Sequence, residues 1–130
     1  MIIKALIEIY GENNTFGIKN AKEIKTNEQF INQVKINNMA PTITWDEVQN
    51  KIQELISIES LKKLRKIRDS KLRNTDQYVL PDFPLESDDI KQAWLTYRQA
   101  LRDLPANSPN VSLDYDTNEL TGVEWPVPPS

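Results

Sequence analysis

Residues 75–105 read TDQYVLPDFPLESDDIKQAWLTYRQALRDLP, and this stretch of the 130-residue chain decides the fold. Its second half carries apolar side chains at spacings of 4, 3, 4 and 3, the repeat of a helix that buries one seam. Ser87 is a suitable N-cap for that helix, and Pro105 ends it. The seam comprises Ile90, Trp94, Tyr97, Leu101 and Leu104. We therefore predict an amphipathic helix between Ser87 and Pro105 whose seam, including both aromatic residues, lies in a core.

The segment that precedes this helix, residues 74–86, is predicted to be an extended linker. Pro81 and Pro84 lack backbone donors and push the residues before them toward extended geometry. Because the linker has no hydrogen-bond ladder of its own, its apolar side chains are expected to lie on the two helices that it connects.

A long helix is predicted upstream of the linker. Thr44 and Glu47 form a capping box, in which each side chain accepts a hydrogen bond from the backbone amide of the other residue. Apolar residues then recur at helical spacing to about Arg73, although their phase slips between Ser57 and Ser60. We expect one continuous or gently bent helix, and a break at the phase slip is the alternative.

Two apolar runs near the end of the sequence predict a β-hairpin. Residues 111–115 and 120–125 flank a polar turn at residues 116–119. Since an isolated hairpin is marginal in water, it is expected to dock on the helices with Trp125 as its anchor. The prolines after Trp125 restrict the remaining chain to a polyproline-like conformation.

The first forty residues give weaker signals. Residues 2–10 alternate in a pattern that predicts a strand, and residues 16–18 predict a second one. A short helix is expected from Glu28 to Ile36, capped by Thr26 or Asn27. The side chains that it should bury are Phe30, Ile31 and Val34.

Together these elements predict a mainly α fold with small β elements. It consists of a helical hairpin joined by an extended proline-containing linker, a C-terminal β-hairpin and a short N-terminal strand-containing segment. The domain boundary is placed in the loop at residues 37–41, so that residues 1–43 form an appendage and residues 44–130 the main domain. The apolar fraction of 38% is below the ~45–50% of typical globular proteins, which predicts a thin core.

The composition argues against catalysis. The chain has no cysteine and no histidine, which removes disulfides, thiol nucleophiles, thiolate metal sites and the side chain that titrates nearest neutral pH. Neither a phosphate-binding glycine loop nor a nucleophile motif is present. No long apolar run supports a signal peptide or a membrane helix. We expect a soluble protein of a reducing cytosol that is not an enzyme, uses no cofactor or metal and does not bind membranes.

Two acidic groups could be mistaken for chemical sites. The carboxylates of Asp88 and Asp89 follow the N-cap of the predicted helix, where they compensate the helix dipole. A second group lacks the spacing and the glycine of a calcium-binding loop, and a hairpin turn explains it better. Its members are Asp114, Asp116, Asn118 and Glu119.

Charge is unevenly distributed along the chain, whose net charge is −3. Residues 61–73 contain seven bases and one acid, whereas residues 103–130 contain five acids and no base. The simplest interpretation is that the acidic tail lies near the basic helix. Nucleic-acid binding by the basic run is the alternative, but no aromatic residue interleaves with it and the whole chain is acidic, so we expect no nucleic-acid partner.

Arg68 projects between two leucines of the apolar stripe of its predicted helix. A guanidinium in that position must reach water or find a carboxylate. We predict a pair with Asp76 or Asp82 that pins the linker to the helix, and extension of the side chain to water is the alternative.

Candidate partner contacts lie outside the predicted seam. Arg98 and Arg102 flank the seam, and Leu95 points away from it. Trp125 and its prolines are suited either to hairpin packing or to docking on another protein. We predict partner contacts at Leu95, Arg98, Arg102 and Trp125.

Several short motifs follow one another along the last two thirds of the chain. They are Arg68-Asp69, Thr75-Asp76, Leu80-Pro81-Asp82, Pro84-Leu85, the helix from Trp94 to Asp103, and Trp125 to Pro129. In this order and spacing, the sequence resembles the bacteriophage tail assembly chaperone-like family, the tail fibre assembly chaperone domain. The resemblance covers about residues 44–130 and leaves the first forty residues unexplained.

The resemblance implies a function that depends on contact with other proteins. Members of this family help phage tails and tail fibres to assemble, typically by engaging fibre chains so that they fold and trimerise. The implied partner is therefore a phage tail or tail-fibre protein, met in the host cytoplasm during assembly. The alternative is a minor structural protein that is retained in the virion tail or baseplate.

Overall fold

The computed structural model describes residues 1–130 and contains four α-helices and two antiparallel sheets of two strands each. This confirms the predicted class, mainly α with small β elements. In chain order the elements are α1 (Ile2–Tyr10), β1 (Phe16–Ile18), α2 (Asn27–Gln33), β2 (Val34–Ile36), α3 (Trp45–Asn74), α4 (Asp88–Asp103), β3 (Ser112–Asp114) and β4 (Glu119–Thr121), with 3-10 turns at Ala21–Glu23 and Asp76–Val79.

Helix α1 occupies the residues for which the alternating pattern predicts a strand, so that prediction is wrong. Ala5 and Leu6 are adjacent and both fully buried. A strand directs adjacent side chains to opposite faces, whereas a helix can bury both on one wide apolar face. The apolar residues of this segment fit both the helical and the strand period, and packing decides that it forms a helix. Gly11 ends α1 at φ 92°, a conformation that strains any residue with a Cβ.

Helix α2 begins as predicted but ends earlier. The Thr26 hydroxyl accepts a hydrogen bond from the Gln29 amide at 3.2 Å, and the Gln29 carboxamide accepts one from the Thr26 amide at 3.2 Å. The helix stops at Gln33, three residues before the predicted end, because Val34 and Ile36 enter strand β2. This strand pairs with β1, which confirms the strand predicted at residues 16–18.

The core of the N-terminal unit is built around Phe30. Its ring lies 5.6 Å from that of Trp45, measured between centroids. The Trp45 amide also donates to the Asn27 side chain at 2.8 Å, which fixes the start of α3 beside the start of α2. Burial of Phe30 and Val34 is as predicted, but Ile31 is 38% exposed, contrary to prediction. The remaining core residues are Ala5, Leu6, Ile24, Ile36, Val48 and Leu55.

Helix α3 is continuous over 30 residues, which confirms the favoured prediction and not the break near Ser57. The Glu47 carboxylate accepts from the Thr44 amide at 2.7 Å, and the Thr44 hydroxyl accepts from the Glu47 amide at 3.3 Å. This is the predicted capping box. Ser60, in the region of the phase slip, is fully buried.

The contacts of the chain separate Met1–Ile56 from Ser57–Ser130. The division falls inside α3, because Trp45, Val48 and Leu55 pack in the N-terminal core. This division describes packing only, so the predicted domain boundary between residues 1–43 and 44–130 stays a prediction.

In the second unit, α4 buries the seam that its spacing predicts. Ser87 caps the helix by accepting a hydrogen bond from the Ile90 amide at 3.3 Å. Tyr97, Leu101 and Leu104 are buried, and Trp94 is partly buried. Leu64 of α3 is also fully buried.

Strands β3 and β4 form the predicted hairpin, with Leu113 opposite Leu120. Gly122 follows at φ 73°, where an added Cβ would lie 2.2 Å from the backbone oxygen of Asn110. Since both the φ angle and the contact exclude a side chain, glycine is required at this position.

The turn of the hairpin depends on the Asp114 carboxylate, which gives a prediction for its pH dependence. The backbone amides of Asp116, at 2.8 Å, and Thr117, at 3.2 Å, donate to this carboxylate and hold the pKa of Asp114 below its ordinary value. The ionised Asp114 carboxylate therefore stabilises the turn fully above the pKa of Asp114 in the unfolded chain, about 3.9. This stabilisation is lost as the pH falls through the lower pKa of Asp114 in the folded chain.

We expect the amide NMR signals of Asp116 and Thr117 to keep their positions from pH 7 to pH 5 and to move toward random-coil positions below about pH 4. Asp114→Asn keeps a side-chain acceptor without a titrating group, so the Asp116 and Thr117 amide signals of this variant should not move below about pH 4. Identical acid titrations of the two proteins would contradict the role of Asp114.

Candidate functional site

Arg98 holds the end of α3 and the following 3-10 turn to α4. Its guanidinium donates to the Leu72 carbonyl at 2.6 Å, to the Thr75 hydroxyl at 2.9 Å and to the Asp76 carboxylate at 2.7 Å. The Thr75 hydroxyl shares its own proton between the carbonyls of Lys71 and Leu72, both at 3.1 Å. A cation at a helix C-terminus also interacts favourably with the helix dipole. Arg98, Thr75 and Asp76 are called the arginine cluster below.

The burial of Arg98 corrects its predicted role as a partner contact. The residue is only 7% exposed, and its Nε is buried without a hydrogen-bond partner among the protein atoms. A side chain with so little free surface has little to offer a partner. Arg98 therefore acts inside the unit, where it fixes α4 against the end of α3.

Arg68 does not form the predicted pair with Asp76 or Asp82. Its Nε and Nη2 instead contact the neighbouring Asp69 at 2.9 Å and 2.7 Å. Asp76 is occupied by Arg98, which approaches it from the facing helix. The predicted Arg68 pair is therefore wrong, and the arginine that contacts Asp76 is Arg98 of α4.

An aromatic cluster joins the linker to α4. The Tyr78 ring stacks on Trp94 with centroids 4.2 Å apart and planes inclined by 18°. Phe83 meets Tyr78 edge-on at 5.2 Å, and Tyr97 meets Trp94 edge-on at 5.8 Å. Such pairs contribute about 0.5–1.5 kcal/mol each beyond the area they bury. The linker therefore lies on α4 through its aromatic side chains.

A groove of about 490 Å³ lies beside this cluster. We call it the aromatic groove and define it by Tyr78, Leu85, Ile90 and Trp94. Its other lining residues are Pro84, Glu86, Pro128, Pro129 and Ser130. The groove thus has apolar walls, and the proline tail of the chain lies along it.

Two of the predicted partner contacts, Leu95 and Arg102, lie on the outer face of α4. They are seven residues apart, which places them two turns apart on one face of the helix. Leu95 is 40% exposed, and Arg102 is exposed and bonded only to Gln99, at 3.4 Å. These two residues are called the α4 outer face, and whether a partner contacts them stays a prediction.

Trp125, the fourth predicted contact, is partly buried in the tail. The Lys71 ammonium lies 5.3 Å from the centroid of its ring, a cation–π contact with α3. This contact is consistent with the anchoring role that the sequence predicts for Trp125.

The C-terminal stretch lies near the basic part of α3, as predicted, but no ion pair joins the two. None of the seven bases in residues 62–73 makes an ion pair with an acid of residues 103–124. The hairpin contacts α3 through two hydrogen bonds, each between a charged and an uncharged group: the Lys63 ammonium donates to the Asn118 carbonyl, and the Tyr115 hydroxyl donates to the Glu59 carboxylate. Partial burial raises the pKa of the Tyr115 phenol.

Most of the predicted motif residues lie in the two clusters and the turn of the linker, whereas Arg68 and Asp69 contact each other on α3. Thr75 and Asp76 belong to the arginine cluster, Trp94 and Tyr97 belong to the aromatic cluster, and Leu80-Pro81-Asp82 form an exposed turn of the linker. The sequence reasoning missed Tyr78 as the stacking partner of Trp94. Its position between Thr75-Asp76 and the two prolines is the signal that marks it.

Neither a membrane-spanning helix nor a metal cluster is found among residues 1–130. No helix combines the length and apolarity needed to cross a bilayer. No group of three or more acidic side chains is placed to hold a metal ion. The features that remain are surfaces: the α4 outer face, the aromatic groove and the tail.

Comparison with known proteins identifies the second unit. The family model described as phage tail assembly chaperone protein matches residues 61–130, a little more than half of the chain. The match starts in α3 and includes both clusters, the hairpin and the tail, so it begins later than residue 44, where the sequence resemblance starts. No curated protein and no solved structure matches the chain. The chain belongs to the family of phage tail assembly chaperone proteins.

Proposed function

We propose that this chain binds a phage tail protein, specifically a tail-fibre protein, and promotes the folding and oligomerisation of that protein in the host cytoplasm. Membership of the family implies a role in tail assembly. The observation that carries the proposal is that the matched residues 61–130 include the C-terminal part of α3 and all of α4 with its exposed outer face.

The exposed surface of the matched region suits a protein that acts by contact. Several large apolar side chains remain exposed there. Single exposed apolar residues are ordinary, but several within one small unit offer contact area to a partner. They are Leu80, Leu95, Tyr115 and Val127.

Co-expression tests this proposal. The candidate tail-fibre protein is produced with and without this chain, and its soluble, trimeric fraction is measured by sedimentation and light scattering. We expect the soluble trimer to increase severalfold when the chain is present. An unchanged yield with every tail protein of the same phage would contradict the assembly role.

Mass spectrometry of purified particles tests where the chain remains after assembly. A chaperone is expected to be absent from finished particles or present far below stoichiometry. A stoichiometric amount would instead identify a structural protein that is retained in the tail.

The α4 outer face gives a mutational prediction. Leu95→Asp combined with Arg102→Glu should weaken binding of the tail protein tenfold or more, because loss of central contacts commonly costs about 1–2 kcal/mol each. Isothermal titration with the co-purified tail protein measures the affinity. Circular dichroism should show unchanged helix content, because both side chains are exposed.

Ile31→Asp is the matched control, because Ile31 is exposed to a similar extent but lies outside the matched region. It should leave the affinity unchanged. Equal affinities for the double variant and the control would exclude the α4 outer face as the contact, while the co-expression result would still decide the assembly role.

A further inference from the structure

The aromatic groove has the chemistry of a site for extended apolar chain. The Tyr78 and Trp94 rings form one continuous wall, and both are partly exposed. Leu85 and Ile90 extend this wall, and Glu86 is the only charged side chain in the lining. Ring faces without charged neighbours interact well with proline rings and aliphatic side chains.

The tail of the chain shows which kind of segment this groove accepts. Pro128 and Pro129 line the groove. Two consecutive prolines fix φ near −65° and offer no backbone donors, so the segment is held in the polyproline conformation. Aromatic-lined grooves recognise such segments because little conformational entropy is lost on binding.

Apart from the cation–π contact of Trp125 with Lys71, only packing holds residues 123–130 in place. Residues 123–130 form no hydrogen bond or ion pair with the rest of the chain, and Val127 is 85% exposed. The cation–π contact of Trp125 with Lys71 lies upstream of the two prolines. A competing segment could therefore replace Pro128 and Pro129 without breaking a hydrogen bond.

We propose that the aromatic groove binds an extended, proline-bearing segment of the partner protein, which replaces the chain's own Pro128 and Pro129. This inference rests on the proposed function, since it names the segment of the tail protein that is bound. The tail then acts as a weak internal competitor, which keeps the aromatic wall covered until a client chain is present.

A peptide that copies the tail tests the proposal without any tail protein. The probe is the capped peptide PVPPS, residues 126–130, and it is titrated into the full-length wild-type chain and into the full-length Pro128→Ser/Pro129→Ser variant. NMR signals of the Trp94 indole and the Tyr78 ring report binding. We expect the peptide to bind the variant at least tenfold more tightly than the wild type, because the internal competitor is weakened. The single Pro129→Ser variant should fall between the two.

Two controls make the result specific. The peptide PVSSS, which lacks the two proline rings, should bind neither protein. Ile90→Glu, introduced into the double-serine variant, should reduce binding of PVPPS at least tenfold. Residue 90 lies in the first turn of α4, where the helix dipole favours negative charge.

The other outcomes overturn the proposal. They are equal affinity for wild type and variant, equal binding of both peptides, and shifts away from Trp94 and Tyr78. A wild-type dimer that the double-serine variant loses would assign the groove to the tail of a second copy. If the peptide test fails, the groove is not the binding site, and the co-expression result still decides the proposed chaperone function. If co-expression fails, the chaperone function is excluded, even if the peptide binds the groove.

Discussion

Replacing Arg98 with alanine is expected to lower the free energy of unfolding of the Ser57–Ser130 unit by about 3 kcal/mol. The variant loses three hydrogen bonds from a charged donor, one each to the Leu72 carbonyl, the Thr75 hydroxyl and the Asp76 carboxylate. Thermal unfolding followed by circular dichroism should show a melting temperature lower by more than about 10 °C.

Arg102→Ala is the matched control, because it removes the same side chain from the exposed side of the same helix. It should change the stability by less than about 0.5 kcal/mol. Asp76→Asn should cost less than about 1 kcal/mol, since Asp76 is 60% exposed and solvent screens its pair with Arg98. Arg98→Lys should fall between alanine and wild type, because lysine keeps the charge but lacks the planar fork. Similar losses for Arg98→Ala and Arg102→Ala would show that the arginine cluster does not stabilise the unit.

Local sequence signals predict the elements of the second unit well. The capping boxes, the seam of α4 and the prolines act within a few residues, so they are readable without knowledge of the fold. The N-cap at Ser87 and the hairpin around residues 116–119 illustrate this. The fold class follows from these elements, because two helices joined by a short linker must pack their apolar seams together.

Segments whose local signals are ambiguous were decided by packing. Residues 2–10 are apolar at both the helical and the strand period, and only the burial of Ala5 beside Leu6 shows which one is used. Val34 and Ile36 similarly fit the end of a helix until β1 is available as a pairing partner. Periodicity cannot resolve such segments, because the outcome depends on residues distant in the chain.

The choice of arginine shows the same limit within the candidate site. Arg68 projects within the apolar stripe of α3, Arg98 flanks the seam of α4, and Asp76 follows α3 closely in the sequence. Helical projection places each arginine on a face, but it does not give the distance across the helix pair. The structure brings Arg98 to Asp76 at 2.7 Å and leaves Arg68 with its neighbour Asp69.

Phe30→Ala is expected to have the largest effect on the N-terminal unit, about 4 kcal/mol, because Phe30 is fully buried and packs against Trp45. The loss combines the transfer free energy of the ring with the cost of the cavity it leaves. Amide hydrogen exchange measured by mass spectrometry should accelerate throughout Met1–Ile56. Exchange in Ser57–Ser130 should remain slow beyond the adjoining turn of α3, because the buried residues of the two units are separate sets.

Ile31→Ala is the control for this prediction, since it shortens the next side chain of the same helix, one that is largely solvated. It should cost less than about 1 kcal/mol and leave the exchange pattern unchanged. Faster exchange in both units of Phe30→Ala would show that the two units unfold together and that the stability of Ser57–Ser130 depends on the N-terminal core. Protection confined to Ser57–Ser130 would instead show that the residues matched by the family keep their fold independently, and that the N-terminal unit is an addition to it.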